Sequence, residues 1–240
     1  MKVKILGTGT SIPSLERGSS SYLVTTKNIK LLVDIGPAVV RRLLEYGFSV
    51  EDIDVIVVTH FHVDHTADLA TFLFACNYGI TQRTKPLLII GGQGTRTFYR
   101  GLLNVYPWIE PKSYTLTLKS MSRGMLKIDG LTIKTAHTNH NPESVAVRLE
   151  EGKAVTFSGD TDYAKSLARL ASKTDILVAE CSFPERKVKG HLNLATLERL
   201  VKEACPKNVN LSHLYPDWDH FMGVLHSPYL IAEDGLEVEL

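Results

Sequence analysis

Apolar positions along the chain follow two rhythms. Short apolar or alternating runs predict strands at Val3–Leu6, Ser19–Thr25, Ile29–Val33, Ile53–Val58 and Leu87–Ile90. Helical spacing predicts helices from Gly36-Pro37 to about Tyr46, over Thr66–Tyr78, and over Thr95–Val105. Pro37 suits a first helical turn and Gly47 a stop. From Tyr114 the period changes to two. It predicts a run of antiparallel strands at Tyr114–Leu118, Gly124–Ile128, Leu131–Thr135, Ser144–Leu149 and Lys153–Phe157. A helix over Tyr163–Ala171 and a strand over Ile176–Ala179 follow. Asn193 then caps a helix through Ala204, stopped by Pro206, and Val209–Ser212 is a last buried strand. Tyr229–Ile231 and Leu236–Leu240 read as short edge strands. Strands and βα units thus alternate twice, and the two halves look alike. Two sheets packed together with helices outside satisfy that order, which places the chain in the α/β class. No proline- or serine-rich linker interrupts it, so residues 1–240 are expected to form one domain.

Composition narrows the setting. Apolar residues make up 44% of the chain, ample for a buried core. Formal net charge is +1, which gives no general pull toward nucleic acid or a membrane surface, although a local basic patch is compatible with it. Cys76, Cys181 and Cys205 form no metal or redox spacing and are expected to be buried small hydrophobes in a reducing compartment. The chain enters its first strand with no leader pattern, and no apolar run approaches membrane-spanning length. A cytoplasmic protein is expected.

The chemistry concentrates after the strand ending at Val58. Thr59-His60-Phe61-His62-Val63-Asp64-His65 places four metal-competent side chains between an apolar strand and a helix. His60 and His62, two apart, project to one side of extended backbone, while Asp64 and His65 aim at a second point nearby. Three further candidates also follow strands: His140, Asp160 after Ser158-Gly159, and His213 after Leu211-Ser212. Such a set could hold two metal ions, with Asp160 as the natural bridge because Gly159 lets the backbone come near. His137 competes with His140. Asp34 ends a strand ahead of Gly36-Pro37, and capping the following helix is its simplest role. Gly7-Thr8-Gly9-Thr10 lacks the GKT or GKS of a nucleotide loop, so its glycines are expected to let backbone pass beneath a site.

On these residues the chain resembles the metallo-β-lactamase superfamily, and within it the ribonuclease Z-like phosphodiesterases. His60, His62, Asp64 and His65 match the H-x-H-x-D-H signature. Leu6-Gly7-Thr8-Gly9-Thr10 with Arg17 is similar to the branch's opening, and Val33-Asp34-Ile35-Gly36 to its first acidic motif. His140 with Ser144 and Arg148, Ser158-Gly159-Asp160-Thr161, and Leu211-Ser212-His213-Leu214-Tyr215-Pro216 resemble the later motifs. The resemblance implies a four-layer αββα sandwich. It implies one divalent metal on His60, His62 and His140, a second on Asp64, His65 and His213, and Asp160 between them, with Asp34 supporting the metal loop from behind. Histidine at position 62, where the diiron oxidoreductases of the superfamily carry glutamate, favours zinc, though manganese or iron suits similar sites. The spacing to Ser144 favours His140 over His137. His191, ahead of a helix, is similar in placement to the branch's leaving-group histidine, but the residues after it differ, so general acid and plain loop histidine both stay open. His220 and His226 match nothing in the family pattern.

The expected activity is zinc-dependent hydrolysis of a phosphodiester, small, cyclic or RNA, by a metal-activated hydroxide, with Asp64 and His191 as catalytic side chains. His140 and Asp160 are only twenty positions apart, too close for the tRNA-gripping arm of bacterial ribonuclease Z, and near-neutral charge agrees. A thioester, lactone or ester hydrolase on the same metals is the alternative, and a binding protein with a decayed site is disfavoured by the complete ligand set. The partners expected are a small or nucleotide-type substrate, no membrane, and a second copy if the protein is a homodimer.

Overall fold

The alternating runs close into two mixed sheets of seven strands each. The computed structural model describes residues 1–240. The first sheet holds β1 (Lys2–Gly7), β2 (Ser21–Thr25), β3 (Lys30–Val33), β4 (Val55–Val58), β5 (Leu87–Gly91) and β6 (Leu116–Ser120) in sequence order, with β14 (Glu237–Glu239) beside β1. The second runs from β7 (Gly124–Ile128) through β8 (Leu131–His137), β9 (Val145–Glu151), β10 (Lys153–Phe157), β11 (Ile176–Glu180) and β12 (Asn208–Ser212) to β13 (Tyr229–Ile231). In each sheet the first three pairings are antiparallel and the last three parallel, so the likeness of the two halves is real topology.

The sheets face each other across a layer in which Val3, Ile5, Val24, Leu31, Val55 and Val57 meet Ile133, Val147, Leu149, Val155, Phe157 and Val178. Their outer faces are covered by helices, giving the four αββα layers. Ile56 and Val58 of β4 point the other way, toward α1 (Val39–Glu45) and α3 (Leu69–Tyr78). That explains why β4 is apolar throughout rather than alternating: a parallel strand covered on both sides buries every residue. Leu177, Ala179 and Leu211 pack under α5 (Lys165–Leu170) and α6 (Leu194–Ala204) in the same way. Each fully buried Val, Leu or Phe here contributes roughly 1.5–3 kcal/mol.

Four expectations need correction. The strand near Tyr114 is β6. It pairs in parallel with β5 and belongs to the first sheet, so the antiparallel run starts only at β7. Two-residue periodicity reports a half-covered strand without saying which neighbour it takes. The helix expected over Thr66–Tyr78 is instead α2 (Val63–Thr66) and α3, broken at Ala67-Asp68. Asp68 N–H donates to Ile35 O, and Asp68 Oδ2 accepts from Val40 N–H, so tertiary bonds replace continuous helix. Asp34 does not cap α1, whose N-cap is Ala38. Finally, Cys76 and Cys181 are buried but Cys205 is exposed, since it is the left-handed C-cap that ends α6. No helix is long and apolar enough to cross a membrane.

Candidate metal centre

The carboxyl ends of β4, β10, β11 and β12 meet on one rim of the sandwich, and the loop after β8 folds over the same edge. Thr59 O accepts from Val145 N–H at 2.9 Å, tying the two sheets together there. Gly159 has φ +56°, and a Cβ on it would lie 2.8 Å from Val145 O, so only glycine brings Asp160 in this close. Asp34 and His213 also have left-handed backbone, at φ +62° and +54°. A non-glycine residue held there costs of order 1–3 kcal/mol and persists where surroundings over-determine it.

Side chains from both sheets converge on Asp160. Its Oδ1 lies 3.4 Å from His65 Nε2 and 3.4 Å from His213 Nε2, while its Oδ2 lies 3.6 Å from His60 Nε2 and 3.9 Å from His140 Nε2. Asp64 Oδ2 closes the first side at 3.2 Å from His213 Nε2 and 3.5 Å from His65 Nε2. His62 Nδ1 closes the second at 3.2 Å from His140 Nε2. The potential ligand atoms thus form two separate groups, His60, His62, His140 and Asp160, and Asp64, His65 and His213, and a third, Asp160, His191 and His213, overlaps both. His191 stands beside them, its Nδ1 3.9 Å from Asp160 Oδ2.

Whether a cation fits can be tested on hydrogen bonding. Buried polar atoms normally find partners, and one left without costs about 1–3 kcal/mol. Here His60 Nε2, His65 Nε2 and Asp160 Oδ1 are buried without one. All three belong to the same cluster, and nitrogen with carboxylate oxygen is a donor set suited to zinc. The residues fit the metal.

The far sides of the candidate ligands are held. Asp34 Oδ2 lies 2.7 Å from His65 Nδ1 and accepts from the Thr59 hydroxyl at 2.9 Å, while its Oδ1 accepts from Thr59 N–H at 2.7 Å. His140 Nδ1 donates to Gly190 O at 3.0 Å, and Ser182 Oγ is 3.0 Å from His213 Nδ1. Such partners fix which nitrogen is bare. Burial pushes His60 well below the ordinary histidine pKa, which favours its neutral ring. Burial also opposes charge on His65, but Asp160 and Asp34 outweigh it and raise its pKa. Asp160 is pulled the other way: burial favours its neutral form, yet His213, His65 and His60 keep it ionised.

Several residues lie elsewhere. His137 is exposed at the end of β8 and outside both groups; the following turn places His140 there instead. His220 and His226 are exposed and outside them too. Trp218 is packed, its indole donating to Cys181 O at 2.6 Å. Gly7 does permit close passage, since a Cβ there would lie 2.1 Å from Ser19 O. Glu180 was not singled out in sequence, yet it closes β11 at 3% exposure and sits 3.1 Å from His191 Nδ1. Its Oε1 also accepts from Thr161 N–H, and its Oε2 from Ser182 N–H and hydroxyl. The available signal was a carboxylate ending a wholly apolar strand. For His191, burial lowers the pKa, but the hydrogen bond and charge of Glu180 together with the charges of Asp160 and Asp64 outweigh it, leaving it raised.

Known proteins share this fold. The chain is 28% identical over 220 residues to the probable metallo-hydrolase YhfI of Bacillus subtilis, covering 89% of this chain and 87% of that one. It is 31% identical over 201 residues to ribonuclease Z of Mycobacterium bovis, covering 74% and 69%. The crystal structure of YhfI, a metallo-β-lactamase fold protein, superposes with a TM-score of 0.83 at 26% identity over 99% and 98% of the two chains. Human short-form tRNase Z also gives 0.83, at 19% identity over 100% and 99% of the two chains, a likeness of fold. The family model described as Anti-Pycsar protein Apyc1 matches residues 1–232. A sandwich whose strand ends gather histidines around one carboxylate is therefore that of a metal-dependent hydrolase of the ribonuclease Z-like branch of the metallo-β-lactamase superfamily, and the chain belongs to the Anti-Pycsar protein Apyc1 family.

Proposed function

We propose that the protein is a dinuclear zinc phosphodiesterase acting on small or cyclic phosphodiesters. The observation that carries this reading is Asp160, whose two oxygens face different sets of histidines. His60, His62 and His140 would hold one cation, and Asp64, His65 and His213 the other, with Asp160 shared. When bound, two such ions lower the pKa of water toward neutral and neutralise the oxygens of a phosphoryl group.

The chain's own residues do the rest. Asp34 and Ser182 keep His65 and His213 turned inward. Asp64 has one oxygen on His213 and offers its other to orient the attacking water. His191, its Nδ1 against Glu180, keeps Nε2 for handing a proton to the leaving oxygen. Burial opposes its charge, but Glu180, Asp160 and Asp64 leave its pKa raised, the direction a proton donor needs. Between His140 and Asp160 the chain builds only β9 and β10, so a large polyanion has no arm to grip it. Such a substrate fits a chain of net charge +1 better than tRNA does. A homodimer in the cytoplasm goes with this reading, and light scattering checks the assembly.

The test uses protein stripped of metal and reloaded with zinc. It is assayed on bis-p-nitrophenyl phosphate and cyclic mononucleotides, and against thioester, lactone and carboxylic ester panels and a tRNA precursor. Turnover of the phosphodiesters is expected. Turnover confined to carbonyl substrates overturns the proposal, and cleavage of the precursor alone overturns the substrate class.

A further inference from the structure

Tyr215 stands at the mouth of the cluster with its hydroxyl uncommitted. β11 and β12 run parallel, and the segments that leave them stay together. Cys181 N–H donates to Ser212 O at 3.0 Å, and Tyr215 N–H to Ser182 O at 3.1 Å. The second bond sets Tyr215 beside Phe183, with ring centroids 4.6 Å apart. Pro216 restricts the residue before it to extended backbone, and Tyr215 lies there, at φ −77° and ψ 162°. Phe183 is held in turn. It is buried, the Arg186 guanidinium sits 4.1 Å over its ring, and Arg186 pairs with Asp217 at 3.2 Å. Asp217 lies on the same segment as Tyr215, so the stack closes on itself.

The Tyr215 ring meets the site edge-on. Its centroid is 6.0 Å from that of His213, at 63°, and 6.3 Å from that of His191, at 69°. The two imidazoles are themselves stacked, 5.7 Å apart. Tyr215 therefore borders both a candidate metal ligand and the side chain proposed to protonate the leaving oxygen. Other polar aromatic groups nearby are already spent. The Tyr22 hydroxyl donates to Ser212 Oγ at 2.8 Å, and the Trp218 indole to Cys181 O. Tyr215 is only half-buried. Its hydroxyl has no partner in the protein yet is not sealed from solvent, and the charges of Asp160, Asp64 and Glu180 bear on it.

A donor in that position answers a need of phosphoryl transfer. Charge is spread over the non-bridging oxygens in the transition state, and a donor fixed beside them stabilises it without reorganising. The nearest other hydroxyl, on Ser182, is committed to Glu180 Oε2. Tyr215 is free to donate, and its ring is held by packing rather than by the hydroxyl. We propose that Tyr215 is a catalytic residue, its hydroxyl donating a hydrogen bond to one non-bridging oxygen of the phosphodiester. No proton is transferred in this role. It rests on the reading of the site as a phosphodiesterase.

The test compares zinc-loaded wild type with Tyr215→Phe, which keeps the ring and its packing on Phe183. Melting temperature and zinc content should match. On a nucleoside p-nitrophenyl phosphodiester, kcat should fall about 10- to 100-fold, the scale of one hydrogen bond to a charged group, with KM changing less. Both proteins are then run on the Rp and Sp phosphorothioate forms of the same diester, in which sulfur, a weak acceptor, replaces one or the other non-bridging oxygen. On one diastereomer Tyr215→Phe should cost less than about threefold, because the bond is already lost, and on the other the full loss should remain. Equal losses on the two diastereomers overturn the proposal, since a structural defect does not tell the oxygens apart. So does a zinc-loaded Tyr215→Phe protein with wild-type kcat. A wild type that hydrolyses no phosphodiester removes the phosphodiesterase reading, and this role for Tyr215 with it.

Discussion

Replacing Asp34 with asparagine probes how far the metal centre depends on a residue that cannot itself reach a cation. Asp34 is 1% exposed and accepts three hydrogen bonds, from Thr59 N–H, the Thr59 hydroxyl and His65 Nδ1. In Asp34→Asn one oxygen can keep Thr59 N–H. The other becomes an NH₂ facing the Thr59 hydroxyl and His65. The hydroxyl can rotate to accept. His65 can accept only by moving its hydrogen to Nε2, the nitrogen that must stay bare for a metal. The variant therefore loses one bond to an ionised acceptor, worth about 1.5–3 kcal/mol. At 1.4 kcal/mol per decade that is roughly 10- to 100-fold in affinity at the site of His65, in line with measured losses of outer partners. Competitive zinc titration should show one site weakened by that factor and the other close to wild type. Thermal unfolding of the metal-free variant serves as the control for folding. Two sites of wild-type affinity in a folded Asp34→Asn protein would refute the argument.

Other outcomes follow from the same coordinates. His62→Ala should abolish hydrolysis and leave the circular dichroism spectrum unchanged; wild-type turnover would remove His62 from the ligands. Glu180→Gln should lower kcat about 10²-fold or more on substrates with poor leaving groups, and much less on p-nitrophenyl esters, whose phenolate needs no proton; equal losses on both would count against His191 as the acid. Chelation should stop activity, zinc should restore it, and excess zinc should raise the melting temperature, since a ligand bound only by the native state stabilises it. Arg83, buried and donating to the carbonyls of Val50, Ile53, Lys85 and Pro86, should cost about 3–5 kcal/mol in urea unfolding when changed to Met, because those acceptors are left unpaired.

The sequence exposed the candidate ligands because they cluster just past strand ends, where an imidazole or carboxylate stands out against its neighbours. Asp34, Asp160 and His213 could be placed at strand ends before their partners were known. Glu180 was hidden by the opposite arrangement: it completes β11 itself, and only the three-dimensional neighbour His191 gives it meaning. Placement of β6 failed because strand periodicity carries no information about pairing, and the break before α3 failed because Asp68 makes its bonds with Ile35 and Val40 rather than within a helix.

The division of labour between the sheets also bears on how the molecule could be taken apart. The first sheet and its loops supply His60, His62, Asp64, His65 and Asp34, while the second supplies His140, Asp160, Glu180, His191 and His213. The chain crosses between them at Ser122–Arg123, between β6 and β7, and returns when β14 pairs with β1. A polypeptide severed at that crossing would yield two fragments, each inert. The C-terminal one carries its own clasp in β14, so mixing them rebuilds a shared core and, with it, the rim. Complementation of this kind would be an inheritance of the doubled architecture rather than of any one residue.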